Sequence, residues 1–174
     1  MSLCESEPNR GADGTWIAAF DIAAPHYGRQ HPQVGMANNG NVVADWRART
    51  FGEYSVCESG SWSAPAVLPQ GTGWVNPIVA VDDDGDAVVG YLGKVTYRSA
   101  DGPFQTPIAL NALELLATPD GTFAAATGSA IATLLPSSTT WNQNFSTSGG
   151  VFAALGSLAA IVNPQTSVST ASVP

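Results

Sequence analysis

Three clusters in this chain carry side chains able to bind or react. The first is Asp82, Asp83, Asp84 and Asp86 around Gly85, the densest run of charge in the sequence. Clustered carboxylates offer the hard oxygen ligands that Ca²⁺ takes, so Asp82, Asp84 and Asp86 are candidate metal ligands. The run has no glutamate where an EF-hand loop closes, and its flanks, IVAV and AVVGY, read as strands, which excludes that loop type. The competing account is a solvated Asp-Gly turn, because aspartates favour tight turns with no metal present. The second cluster, PHYGRQHP, sets His26, Tyr27, Arg29 and His31 in a Pro-bounded stretch. Paired histidines bind metals or move protons, but this spacing fixes no coordination geometry, and a surface binding loop is the plainer reading. Trp74, in GTGWVNP, adds an aromatic face of the kind that stacks on a sugar.

The third cluster is Asp45-Trp46-Arg47, followed by Arg49. Neighbours on a strand alternate between faces, so Asp45 and Arg47 share one face and Trp46 takes the other. That gives either an ion pair beside a core Trp or an Arg47 guanidinium offered to a ligand carboxylate. There is no Gly-x-Ser-x-Gly, no phosphate loop and no paired-cysteine motif. The arginines are Arg10, Arg29, Arg47, Arg49 and Arg98, scattered along the chain.

The elements that must position these groups repeat. In Asn76 to Leu110 a short apolar run, Ile78 to Val81, is followed by the acidic turn. A second run then covers Ala87 to Tyr91, a third Val95 to Arg98, and a turn at Gly102 leads to Phe104 and Pro107. The same order recurs before it (VGMA, Asn38-Asn39-Gly40, NVVADW, EYSVCE, Trp62) and after it (LLAT, Pro119-Asp120-Gly121, TFAAAT, AIATLL, Trp141). Asn39-Gly40 is a strong hairpin signal, since a type I′ turn needs positive φ at both central residues. The turn glycines Gly40, Gly85, Gly121 and Gly156 are 45, 36 and 35 residues apart. The aromatics Trp16, Trp62, Phe104 and Trp141 are 46, 42 and 37 apart. Two ladders in step predict an all-β, β-propeller architecture of four-stranded antiparallel blades over a meander or sandwich.

On this register the chain is one domain holding four blade equivalents: a half-blade over 1–31, blades over 32–75, 76–112 and 113–149, a half-blade over 150–162 and a tail over 163–174. The two half-blades are expected to complete one blade, closing a ring within the chain or, by homo-oligomerisation, between copies. Leu3-Cys4-Glu5-Ser6 and Val56-Cys57-Glu58-Ser59 would then occupy matching third strands of adjacent blades. Equivalent strands of neighbouring blades lie beyond disulfide reach, so both cysteines are expected to be reduced.

Composition narrows the partners. A net charge of −8 with six basic residues leaves no clustered basic footprint for nucleic acid or an anionic membrane surface. No apolar run approaches the roughly 20 residues of a membrane-spanning helix. The start, MSLCESEPNR, lacks the n- and h-regions of a signal peptide. The low lysine content and many small polar residues suit an exported protein.

Ser99-Ala100-Asp101-Gly102-Pro103-Phe104 resembles a shortened form of the Ser-x-Asp-x-Gly-x-x-Trp turn that marks secreted bacterial propellers of the sialidase-like, Asp-box class. Ser59-Gly60-Ser61-Trp62 and Ser138-Thr139-Thr140-Trp141 are poorer copies. The resemblance implies an extracellular or periplasmic propeller in which this turn is a folding device rather than a catalytic one. It leaves three expectations: a non-catalytic binding or interaction propeller, taking a glycan or a protein; a relative or fragment of a sialidase-like glycoside hydrolase; or a structural assembly module. The arginine cluster and Tyr-Glu pair of that hydrolase class are not evident.

Overall fold

The structure, a computed structural model, describes residues 21–23, 29–72, 76–118, 120–127, 130–136, 138, 140–146, 151–155, 158–163 and 167–172. Every regular element among them is a β-strand, and every pairing is antiparallel. The first sheet contains β1 (Arg29–Met36), β2 (Val42–Ala48) and β3 (Phe51–Glu58), with β4 (Ser61–Trp62) and β5 (Ala66–Thr72) both pairing to β3. The second runs β6 (Ile78–Val81), β7 (Ala87–Tyr91), β8 (Lys94–Arg98) and β9 (Ile108–Ala109). The third runs β10 (Glu114–Ala117), β11 (Phe123–Ala126), β12 (Ala130–Leu134) and β13 (Asn142–Ser146). The last is β14 (Val151–Leu155), β15 (Leu158–Asn163) and β16 (Ser167–Ser172). Each sheet is built from consecutive chain, and the last three are plain meanders.

The central strands are apolar on both faces because both faces are covered. On β7, Ala87, Val89 and Tyr91 point toward the first sheet, where they meet Val43, Val56 and Leu68. Val88 points the other way, into a cluster with Phe123, Ala125 and Leu134 of the third sheet. Period-2 alternation therefore distributes one strand between two cores, and β7 is buried throughout. The first strands of successive sheets lie side by side: β1 against β6, β6 against β10, and β10 against β14. Where the first two sheets approach, a Cβ on Gly35 would sit 2.8 Å from Val81 Cγ2.

The opening hairpins of the first three sheets share one turn. Gly40, Gly85 and Gly121 each donate to the carbonyl three residues back, Ala37, Asp82 and Thr118. Those three residues in turn donate to the carbonyls of Asn41, Asp86 and Thr122. Only the glycine has positive φ, at 87°, 92° and 81°. This is the three-residue loop in which a left-handed residue follows a tight turn, and it replaces the type I′ turn expected at Asn39-Gly40. A type I′ signature does occur at Leu92-Gly93, with φ of 51° and 70°, joining β7 to β8.

Two expectations change. Cys57 is disulfide-bonded, not reduced. The sequence has one other cysteine, Cys4, which lies outside the described residues. Likeness between residues 3–6 and 56–59 measured local sequence, and local sequence does not fix the separation of two thiols. The place beside β15 that the closure expectation gave to the Leu3 stretch is taken by β16, from the Ser/Thr-rich tail.

Gly85 and Gly93 both have positive φ, but only Gly85 is crowded: its Cβ would run into the Asn41 side-chain amide, whereas at Gly93 the nearest atom is 3.9 Å away. Gly93→Ala should cost about 1 kcal/mol from backbone strain alone, and Gly85→Ala about 2 kcal/mol or more. Urea unfolding of the two variants checks the order; equal costs would contradict the packing of the first turn on the second.

Candidate functional site

The acidic turn directs its carboxylates into the turn and its neighbours. Asp82 Oδ1 accepts the backbone N–H of Asp84 at 3.0 Å and of Asp86 at 2.9 Å. Asp83 reaches the first sheet, accepting from the Asn38 backbone at 3.2 Å and its side-chain amide at 3.1 Å. Asp86 accepts from the Ala100 N–H at 2.8 Å and from the Tyr97 hydroxyl. Burial, then the Asp86 charge, pushes Asp82 up to about 6 against the pull of its backbone hydrogen bonds. The candidate Ca²⁺ ligands Asp82, Asp84 and Asp86 are thus engaged with backbone or exposed, and among the described residues no group of three or more His, Cys, Asp or Glu converges on a metal position.

Asp45 and Arg47 share the β2 face that carries Val43, and both are buried, while Trp46 lies opposite with Ala44 and Ala48 and donates its Nε1–H to Glu53 at 2.8 Å. The ion pair expected for Asp45 is not formed: neither of its oxygens has a hydrogen-bond partner, and its exposure is 0%. Desolvation pushes its carboxyl up to about 8. Arg47 is buried, at 6% exposure.

The sign of the resulting pH dependence follows. An unfolded aspartate releases its proton near 3.8 and folded Asp45 near 8, so in between the folded state holds more protons. Stability should fall with rising pH across that window, by at most about 1.4 kcal/mol per pH unit for Asp45, with Asp82 adding to the slope only below about pH 6. Asp45→Asn keeps the shape and removes the titration. Its urea-unfolding free energy should be flat between about pH 6 and 8, where the parent's declines; a parent curve already flat there would contradict a neutral buried Asp45.

The described residues enclose a groove of about 370 Å³ at the seam of the first two sheets, lined by Tyr54, Val56 and Glu58 of β3, Ser61 to Ser63, and Arg98 and Gly102 of the second sheet. Alternation puts Tyr54, Val56 and Glu58 on one face of β3, and the Glu58–Ser61 pairing adds Ser61 to it. Trp62 pairs with Cys57, and its indole packs with Cys57 and Val42 on the opposite face. Arg98 is held by the turn that follows it: Nε donates to Gly102 O at 3.0 Å, and Nη2 donates to Ala100 O and, at 2.9 Å, to Glu58 Oε1. The side chain is 6% exposed against 38% for Glu58, and Nη1 is buried with no hydrogen-bond partner. Phe104, from the same turn, packs edge-on to Tyr54 at 4.7 Å between centroids. The groove therefore brings together a fixed cation, an adjacent carboxylate and an aromatic side chain.

Of the residues singled out from sequence, His26, Tyr27 and Trp74 lie outside the described residues. Arg29 opens β1, and His31 is exposed at the irregularity between Gln30 and Gln33, with φ 53°. His31 is not among the described residues that line the groove. Arg98 and Glu58 were legible in one respect: each ends the third strand of its repeat, so neighbouring units carry opposite charges at matching positions. No protein-family model matches the chain, and no curated protein matches it.

Proposed function

We propose that the chain is a non-catalytic, exported binding module of the propeller type that holds a glycan in the groove between its first two sheets. The observation that carries this reading is the groove itself, in which Arg98, fixed by Ala100, Gly102 and Glu58, stands beside the half-exposed Glu58 carboxylate, Tyr54 and Ser61. The propeller reading, with blades at 32–75, 76–112 and 113–149, is supported by four consecutive antiparallel sheets whose first strands are neighbours.

Glycoside hydrolysis ordinarily uses two facing carboxyl groups. Among the described residues lining the groove Glu58 is the one carboxylate, which favours binding over the hydrolase alternative. The assembly-module alternative draws on Val34 and Met36, 64% and 57% exposed on the edge strand β1.

The test is a glycan array probed with the parent chain and with Ser61→Trp, which fills the groove from an exposed position. The parent should retain a defined set of glycans and Ser61→Trp, with unchanged circular dichroism, should lose them by at least about ten-fold. Equal retention by the variant would remove the groove as the site, and no retention by either would remove the glycan reading.

A further inference from the structure

We infer that the chain associates with a second copy of itself, the last sheet of one copy stacking on the open face of the first sheet of the other. The inference rests on how the sheets stack and is independent of the glycan reading. Counted from the turn glycines Gly40, Gly85 and Gly121, Val34 and Met36 of β1 hold the places of Val79 and Val81 on β6 and of Leu115 and Ala117 on β10. In the second and third sheets those places face the preceding sheet. Val79 and Val81 come up against Gly35 of the first sheet, and Leu115 and Ala117 pack in the cluster that holds Ala80 and Val88 of the second. In the first sheet the same two places are 64% and 57% exposed. Val34 pairs with Ala44 and Met36 with Val42, and directly paired residues share a face. Ile22 and Ala23 pack on that face with Ala44, Trp46 and Ala48, and this cover stops short of Val34 and Met36.

A sheet of this chain covers the matching places on β6 and β10, and the last sheet has the composition to cover those on β1. Its pairing sets Val151, Ala153 and Leu155 with Val162, Ala160 and Leu158 on one face, and Phe152 and Ala154 with Ile161 and Ala159 on the other. Both faces are thus built from apolar residues, and the third sheet, whose β10 lies beside β14, takes only one of them. No Asp, Glu, Lys or Arg follows Asp120 in the sequence, so the last sheet has none of the charges that keep exposed sheets from associating. Addition of a strand to the free edge of β1 is opposed by Pro32 and by the irregularity between Gln30 and Gln33. That leaves face-to-face stacking, the mode already used between the sheets of one chain. The seam is head-to-tail, and two copies that each give a last sheet and receive one close on each other with neither face left open.

Sedimentation velocity of the full chain across a dilution series tests the inference. The parent should sediment as a dimer that dissociates on dilution. Val34→Glu combined with Met36→Glu alters positions already exposed in the single chain, so circular dichroism should be unchanged. The dissociation constant should rise at least about ten-fold, because the seam would then bury two charges. A second measurement locates the partner surface. Benzoylphenylalanine in place of Val34, irradiated in an equal mixture of isotopically labelled and unlabelled chains, should cross-link to the 151–172 stretch in mixed-isotope pairs. A parent that stays monomeric at every concentration, or association unchanged in the double variant, overturns the inference. Cross-links confined to same-isotope products would mean that the chain covers its own β1, and overturn it as well.

Discussion

No sheet in this protein can bury its own apolar surface, and the rest of the structure follows from that constraint. β7 divides its side chains between two cores, Val89 toward the first sheet and Val88 toward the third, so the second sheet is stable only when flanked. Burying a valine or leucine side chain contributes roughly 1.5–3 kcal/mol, and the fully buried residues Leu68, Val88, Val89, Phe123 and Leu134 are spread over three sheets. Stacking is therefore a condition of folding rather than an arrangement of prefolded units.

Polar groups then fix how the first two sheets stack. Asp83 ties the second turn to Asn38 in the first, the Tyr91 hydroxyl donates to Pro69 O at 2.5 Å, and Arg98 reaches Glu58. These three links join the sheets at separate points around the apolar cluster of Val43, Leu68 and Val89. The groove opens where Ser61, Ser63 and Gly102, all small, face the seam, so the site is a consequence of stacking. Neither sheet supplies the guanidinium and the carboxylate together.

Much of this architecture was legible in the sequence because turn glycines carry backbone information. Gly40, Gly85 and Gly121 occupy left-handed positions that other residues adopt only under strain, so their spacing exposed the repeat. The turn type was misread at Asn39-Gly40, since a pair that favours type I′ also fits a three-residue loop whose glycine alone is left-handed. β5 was not read from the sequence; it contains Pro69, which disfavours a strand and is tolerated because β5 pairs only with β3. The groove was missed for a different reason. Its two charged residues are 40 apart in sequence and become neighbours only through the stacking of two sheets. By contrast, the densest charge in the chain, at Asp82 to Asp86, makes its hydrogen bonds within its own turn and to the neighbouring Asn38 and Ala100.

The central claim is that Arg98 and Glu58 couple the first two sheets and thereby form the groove. A double-mutant cycle of Arg98→Lys and Glu58→Gln, read by urea unfolding, tests it most directly. A pair with one buried partner should show a coupling energy of about 1 kcal/mol or more. Additivity within about 0.3 kcal/mol would contradict the account, because the two residues would then be independent and the seam would not be held there.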